Sequence, residues 1–339
     1  MRDSKKRRLG GLAILTPLLL LAAACGDDDD DAGGNGSDEA ATEAESSGGG
    51  GGGGDLTIAV VTHGDAGDAF WDVVKTGAEA AGSELGLTVT YQSDGDPETQ
   101  SQLIDAAVAD GVDGLVVSMA NPDGLEDSIT AAVEADVPVV TINSGSDRST
   151  EFGALTHVGQ DERIAGEGAG EELAEAGVTN LVCVVHEPGN VGLEERCGGA
   201  EDTLGGSVEN LQVDGADLAE AVATIRNKLE SDSSVDGVLT LNPGVAISAR
   251  DAIAEAGLDT TLATFDLNGD VVEAIEAGEI IFAIDQQQYL QGYLPVVFLK
   301  LYAENLNTVG GGDPVLTGPG FVTADNAAQV ADLADAGTR

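Results

Sequence analysis

Basic residues are scarce in this chain: 14 lysines and arginines stand against 61 aspartates and glutamates, a net charge of −47 over 339 residues. A field of that sign repels phosphate backbones, so nucleic acid is excluded as a partner, and an anionic substrate would need a local positive group to hold it. Aromatic residues make up only 3% of the chain, with Trp71 the single tryptophan. Histidines number three, His63, His157 and His186. Two of them fall at strand ends, where they serve as partners for hydroxyls or backbone, and no metal site is expected. Gly-x-Ser-x-Gly, P-loop and His-Glu-x-x-His patterns are missing, so no enzyme and no cofactor are expected. No apolar run is long. The longest, from Leu9 to Ala24, falls short of the ~20 residues a spanning helix needs.

That apolar run has a different meaning. It follows the cluster Arg2, Lys5, Lys6, Arg7 and Arg8 and ends in small residues before Cys25, the order of an export signal. Leu21-Ala22-Ala23-Ala24-Cys25 resembles a bacterial lipoprotein signal, although Ala22 stands where that signal usually has leucine. The resemblance implies cleavage after residue 24 and lipidation of Cys25. Residues 25–54 carry the acidic run Asp27–Asp31 and the glycine run Gly48–Gly54 with no large apolar residue. Such a segment cannot bury enough surface to offset its ordering entropy, and it is expected to be a disordered tether.

Beyond Asp55 about 285 residues remain, enough for two lobes of ordinary size. Only Cys183 and Cys197 follow Cys25. Two cysteines in an exported chain suggest a disulfide, which would pin the loop carrying Arg196; two buried thiols are the other reading. From Leu56 onward short β-rich apolar runs alternate with helical periodicity: strands at 56–61, 87–91, 113–118 and 137–142, then again at 180–185, 208–213, 235–241, 260–265 and 280–284. This alternation predicts an α/β fold with parallel sheets covered by helices on both faces, divided into two Rossmann-like lobes. The segment Thr156–Asp161 has no clear element and is expected to cross between lobes. The expected division is 55–158 plus about 287–313 for the N-terminal lobe, and 159–286 plus about 314–330 for the C-terminal lobe.

In open parallel sheets, ligands bind at the carboxyl ends of strands. That rule selects Asp68, Phe70 and Trp71 after the first strand, and Asn143 and Ser144 after the fourth. In the second half it selects His186, Glu187, Asn190 and Arg196, then Asn242, Asp266, Asp285 and Gln286. Planar amides, carboxylates and one arginine can bond neighbouring hydroxyls two at a time, and rings cover the C–H faces of a sugar. The competing role for the Asn and Asp residues is helix capping. Phe70 could equally pack in the core.

The quoted residues Asp68-Ala-Phe-Trp-Asp-Val-Val-Lys-Thr-Gly77, Gly159-Gln-Asp-Glu162, Glu194-Glu-Arg-Cys-Gly198, Phe265-Asp266 and Phe282-Ala-Ile-Asp-Gln-Gln-Gln-Tyr-Leu-Gln-Gly-Tyr293 carry a family resemblance. From Asp55 to about Ala327 the chain resembles sugar receptors of bacterial ABC importers, in the group of the ribose-binding protein, with a type I periplasmic-binding-protein fold. The resemblance implies a multi-strand hinge and closure on the ligand. It also implies ligand roles for Asp68, Phe70, Trp71, Arg196, Asn242, Asp266 and Gln286. Where ribose receptors carry Asp-Arg, this chain has Asn143-Ser144, which puts ribose itself in doubt and leaves a pentose, hexose, inositol or other polyol open.

The expected function is therefore an extracytoplasmic, lipid-anchored monomer. It would bind a small neutral polyhydroxy ligand and present it to an ABC permease. A receptor for a furanose-like signal or a chemoreceptor ligand is the alternative. A sugar-responsive transcription regulator is remote, because an export signal and acidic tether stand where a DNA-reading head would be. Gly166-Glu-Gly-Ala-Gly170 has the look of a dinucleotide loop but falls inside a predicted helix.

Overall fold

The computed structural model describes residues 56–65 and 67–339. The expected signal 1–24, the lipidated Cys25 and the tether 25–54 lie outside the described residues.

The first half of the chain runs β1 (Thr57–Thr62), α1 (Ala69–Leu85), β2 (Thr88–Ser93), α2 (Pro97–Ala109), β3 (Gly114–Ser118), α3 (Pro122–Glu134), β4 (Val139–Ile142), α4 (Ser146–Ser149) and β5 (Thr156–Gly159). The second runs α5 (Glu162–Glu175), β6 (Asn180–Val185), α6 (Val191–Leu204), β7 (Ser207–Gln212), α7 (Leu218–Ser231), β8 (Gly237–Thr240), α8 (Pro243–Ala256), β9 (Thr261–Phe265), α9 (Gly269–Ala277) and β10 (Phe282–Asp285). The chain then finishes with α10 (Gln288–Asn305), β11 (Val315–Leu316), β12 (Gly320–Thr323) and α11 (Ala327–Asp335). Two six-stranded sheets result, ordered β11-β5-β4-β3-β1-β2 and β12-β10-β9-β8-β6-β7. All pairings are parallel except β10 with β12. This is the two-lobed α/β fold expected from the strand–helix alternation.

Period-2 geometry builds each core. Alternate strand residues point to opposite faces, so Ile58 and Val60 pack with α1 and α10 on one side of the first sheet while Ala59 and Val61 pack with α2 and α3 on the other. In the second sheet, Val182 and Val184 face one core, and Leu181, Cys183 and Val185 face the other. Burial on both faces is why these strands are nearly continuous apolar runs.

Helix starts use the acidic and amide residues the composition supplies. Asp68, Asp96, Asn121, Asp161, Asn190, Asp217, Asn242 and Asn268 each accept a hydrogen bond from a first-turn backbone N–H. Gly166 and Gly170 lie on α5 against α6, and their role is close packing. A Cβ at Gly166 would stand 2.1 Å from the carbonyl oxygen of Arg196, and one at Gly170 would stand 2.6 Å from that of Ala200. Those contacts bring the backbone of α6 tight against α5 and fix where Arg196 leaves it.

Two expectations are corrected. Thr156–Gly159 is a strand, β5, paired with β4 and β11 in the first sheet; its short Thr-His-Val-Gly stretch lacks the apolar signature because it lies near the hinge side. Val315–Leu316, expected in the C-terminal lobe, pairs with β5 in the first sheet, so the last crossing lies at 317–319. The chain thus passes between lobes at 160–161, 286–287 and 317–319. These crossings bond one another: Thr317 N donates to Gly159 O at 2.7 Å, and Gln287 Nε2 donates to Thr317 O at 2.6 Å. No helix among the described residues is long and apolar enough to cross a membrane.

Candidate functional site

The two sheets have the same internal order, and their carboxyl ends face each other. β1 and β6 stand at equivalent positions, each flanked by β2 or β7 on one side and by β3 or β8 on the other. This is where strand order reverses, the place open α/β sheets bind ligands. Equivalent strand ends carry related residues. His63 follows β1 and His186 follows β6. Asn143 follows β4 and Asp266 follows β9, and both adopt a left-handed backbone, φ 65° and 68°. Short polar side chains tolerate that conformation best, and in a buried loop it marks a site held under constraint.

Asp68, Phe70, Trp71, Asn143, Arg196, Asn242, Asp266 and Gln286 all line one space between the lobes, together with His63, His186, Glu187, Asn190, Leu193 and Leu241. Counting the part open to solvent, it measures about 280 Å³. Of the residues selected at the strand ends these eight are brought together, with His186, Glu187 and Asn190 beside them; Ser144 and Asp285 do not line the space, and Asp285 instead pairs with Arg339. Several do two jobs. Asp68 caps α1 through Oδ1, and its Oδ2 accepts a 3.1 Å bond from Asn242 Nδ2 of the opposite lobe. Asn242 itself caps α8 through Oδ1. Capping and cleft-lining are not alternatives here, because a cap occupies one side-chain atom and leaves the other pointing across the cleft.

The lobes touch directly. Asn143 Nδ2 donates to Gln286 Oε1 at 3.3 Å and Ser144 Oγ to Asn190 Oδ1 at 3.2 Å, while Val191 N donates to Ala120 O at 3.0 Å. Gln286 Nε2 in turn donates to Asp266 Oδ1 at 2.8 Å. The arrangement is a closed cleft in which polar groups of the two lobes bond one another, while the buried His186 Nδ1 has no hydrogen-bond partner.

Phe70 and Trp71 are each 5% exposed and meet edge to face, with centroids 4.9 Å apart. Trp71 also lies edge-on to His63 at 4.6 Å. Both rings belong to the core of the first lobe and form part of the cleft wall. The core-packing reading of Phe70 and the cleft reading are satisfied by one position.

Arg196 is 3% exposed and its principal partner is Glu162, with Nε to Oε2 at 2.5 Å and Nη2 to Oε1 at 3.1 Å. Nη1 lies 3.6 Å from Asp266 Oδ2, and the guanidinium stacks 4.7 Å from the Phe265 ring. Burial works against its charge, and Glu162 and Asp266 outweigh that, raising its pKa. Burial pushes the Asp266 carboxyl up to about 7 despite the pull of Arg196 and the Gln286 bond. Burial likewise raises Asp68 to about 6, with Glu187 adding to it. His63 is lowered to about 3 by burial and by Arg196, and His186 to about 4 by burial, so both rings are neutral at pH 7. The cleft wall thus holds one cation, Arg196, already paired with Glu162, beside three acidic groups, Asp68, Glu187 and Asp266. Its chemistry suits hydroxyls, which donate to carboxylates and accept from amides, and disfavours an anionic ligand.

Residues not singled out as site members also matter. Glu162 opens α5 as the last residue of the motif Gly159-Gln-Asp-Glu162, which gives no sign in the sequence of its pairing with Arg196. Gln291, one turn into α10, donates to Gln286 Oε1 at 2.7 Å; nothing in the helical pattern distinguishes it. Cys183 of β6 and Cys197 of α6, next to Arg196, are joined by a disulfide with Cα atoms 5.9 Å apart.

The sequence pattern of the family described as periplasmic binding protein domain matches residues 58–307. The chain is 25% identical over 263 residues to the xylose/arabinose-binding protein of Sulfolobus acidocaldarius, covering 72% of this chain and only 63% of that protein's length. It is 26% identical to the ribose import binding protein of Bacillus subtilis, over 66% of this chain and 74% of that one. Among solved structures, a carbohydrate transporter from Acidothermus cellulolyticus 11B, in complex with myo-inositol, is 43% identical with a TM-score of 0.83; the match covers 84% of this chain and 100% of that one.

Proposed function

We propose, from the premise that this chain belongs to the periplasmic binding protein domain family, that it captures a small neutral polyol outside the cell membrane for delivery to an ABC importer. The observation that carries the proposal is the convergence of Asp68, Asn143, Asn242, Asp266 and Gln286 from both lobes on one space walled by Phe70 and Trp71. Each inter-lobe bond in the cleft can be exchanged for bonds to a ligand hydroxyl, which both donates and accepts. A ligand touching both lobes favours the closed state by that differential affinity, so capture and closure are one equilibrium. The importer would then recognise the closed outer surface.

Within the polyols, a cyclitol is the leading class. A ring bearing a hydroxyl on every carbon uses donors and acceptors on all sides of the cleft, and the 43% identical carbohydrate transporter holds myo-inositol. The replacement of a charged pair by Asn143-Ser144 fits a ligand that needs amide partners there rather than a charged clamp. In this proposal Cys25 carries the lipid anchor, and residues 25–54 are the tether between it and the two lobes.

A thermal-shift screen of the full chain against myo-inositol, D-ribose, D-xylose, xylitol, D-glucose and amino acids tests the reading. A ligand at 100 times its Kd should stabilise the protein by about 2.7 kcal/mol. Arg196→Ala and Asp266→Ala should abolish that response. A response to amino acids alone, or to none of the polyols, removes the proposal.

A further inference from the structure

The second hinge crossing carries a buried ion pair outside the cleft lining. Asp285 ends β10 with a fully buried side chain. Its Oδ1 accepts a 2.8 Å bond from Gln287 N, and its Oδ2 accepts a 2.7 Å bond from Arg339 Nε. Arg339 lies beyond α11, which packs on α9 of the second lobe, and its side chain is 34% exposed. It is the one cation paired with Asp285 among the described residues.

The residue between Asp285 and Gln287 is Gln286, whose side chain bonds Asp266, Asn143 and Gln291 inside the cleft. Gln287 follows with φ 55°, left-handed for a residue with a side chain. Such a conformation is strained and persists only where its surroundings over-determine it. Two bonds do so here: Asp285 Oδ1 holds the Gln287 backbone, and Gln287 Nε2 reaches Thr317 O in the third crossing. The space is also tight. A Cβ at Gly318 would stand 2.9 Å from Gln286 Cα and 3.0 Å from Asp285 O.

We propose that Arg339 is a positioning residue for ligand capture: by pairing with Asp285 it fixes the crossing that aims Gln286 into the cleft and sets how the lobes close. The inference rests on the polyol-receptor reading for its ligand. Without Arg339, a buried carboxylate loses its counter-charge, a state that proteins avoid by neutralising the group or opening it to water. Either response loosens the Gln287 turn. The consequence is felt at Gln286, with no change to any residue lining the cleft.

The test uses the full chain, titrated with myo-inositol and the other polyols by following Trp71 fluorescence. In parallel, a dye pair with one dye on each lobe reports the inter-lobe distance without ligand. Arg339→Ala should weaken binding by on the order of tenfold and broaden the ligand-free distance distribution towards open states. Arg339→Lys should restore part of both, and adding Asp285→Asn to Arg339→Ala should recover binding relative to Arg339→Ala alone. A purely structural role for the tail predicts a lower melting temperature without that second-site recovery, and that result overturns the proposal. Wild-type affinity and an unchanged distance distribution in Arg339→Ala overturn it too. If the wild type binds no polyol, the receptor reading fails while the dye-pair distances still decide whether Arg339 governs the hinge.

Discussion

Replacing Glu162 by glutamine should damage stability and binding together. The Glu162 carboxylate is 3% exposed, and it holds the buried Arg196 guanidinium through two bonds of 2.5 and 3.1 Å. Glutamine keeps the shape but presents one acceptor and one donor, so an N–H group would face the guanidinium N–H groups. Asp266, 3.6 Å from Nη1, would be left as the near counter-charge, although burial holds its own carboxyl at about 7. Breaking a buried ion pair by removing one partner costs about 3–5 kcal/mol, because the other charge stays buried and uncompensated. For a chain of this size that corresponds to a melting temperature lower by roughly 6–20 °C. Calorimetry at pH 7 reads the shift, and a polyol titration reads the binding loss. The double variant Glu162→Leu/Arg196→Leu should recover part of the stability and none of the binding, since a buried pair can be replaced by packed apolar groups. A single variant melting within about 2 °C of wild type, with intact ligand response, would refute the claim that this pair holds the site together.

Asn242→Asp would set a second carboxylate against Asp68, 3.1 Å away across the cleft. Ligand affinity should fall by about tenfold or more at pH 8 and recover towards pH 5 as one carboxyl is protonated; titration calorimetry at both pH values checks it. Asp266 has its pKa raised to about 7 from an ordinary 3.8, so its contribution to stability is present below pH 4 and lost as pH rises through 7. The melting temperature of Asp266→Asn, taken relative to wild type, should therefore rise from pH 5 to pH 8, and a flat difference would contradict this. Removing the disulfide with Cys183→Ser/Cys197→Ser opens a loop spanning 14 residues and should cost about 3 kcal/mol in denaturant unfolding. Gly292→Ala would place a methyl group 1.9 Å from the carbonyl oxygen of Val74 where α10 crosses α1. It should destabilise the first lobe by about 1–3 kcal/mol, measured by urea unfolding.

Much of the architecture is legible in the sequence. Apolar runs such as Leu181 to Val185 and helical periodicity such as Phe70, Val73, Val74 and Gly77 locate the major strands and helices to within a few residues. The elements that escaped are β5, α4, β11 and β12, each of four residues or fewer, and the last helix, α11. Four-residue strands such as Thr156–Gly159 carry too few side chains for a pattern, and their pairing is decided by the sheet they join. The strand-end rule likewise selected cleft residues, because a parallel sheet delivers every carboxyl end to the same edge.

By itself the sequence determined the period of each element, the polar residues at strand ends and an acidic surface unsuited to nucleic acid, since all three are local properties of residue type and order. Only the tertiary structure decided that Arg196 belongs to Glu162, that Asp68 meets Asn242 across the cleft, and that Arg339 returns to Asp285. Those pairs are separated by 34, 174 and 54 residues. Their partners are chosen by how two sheets face each other and how three crossings are packed, a geometry no window along the chain contains.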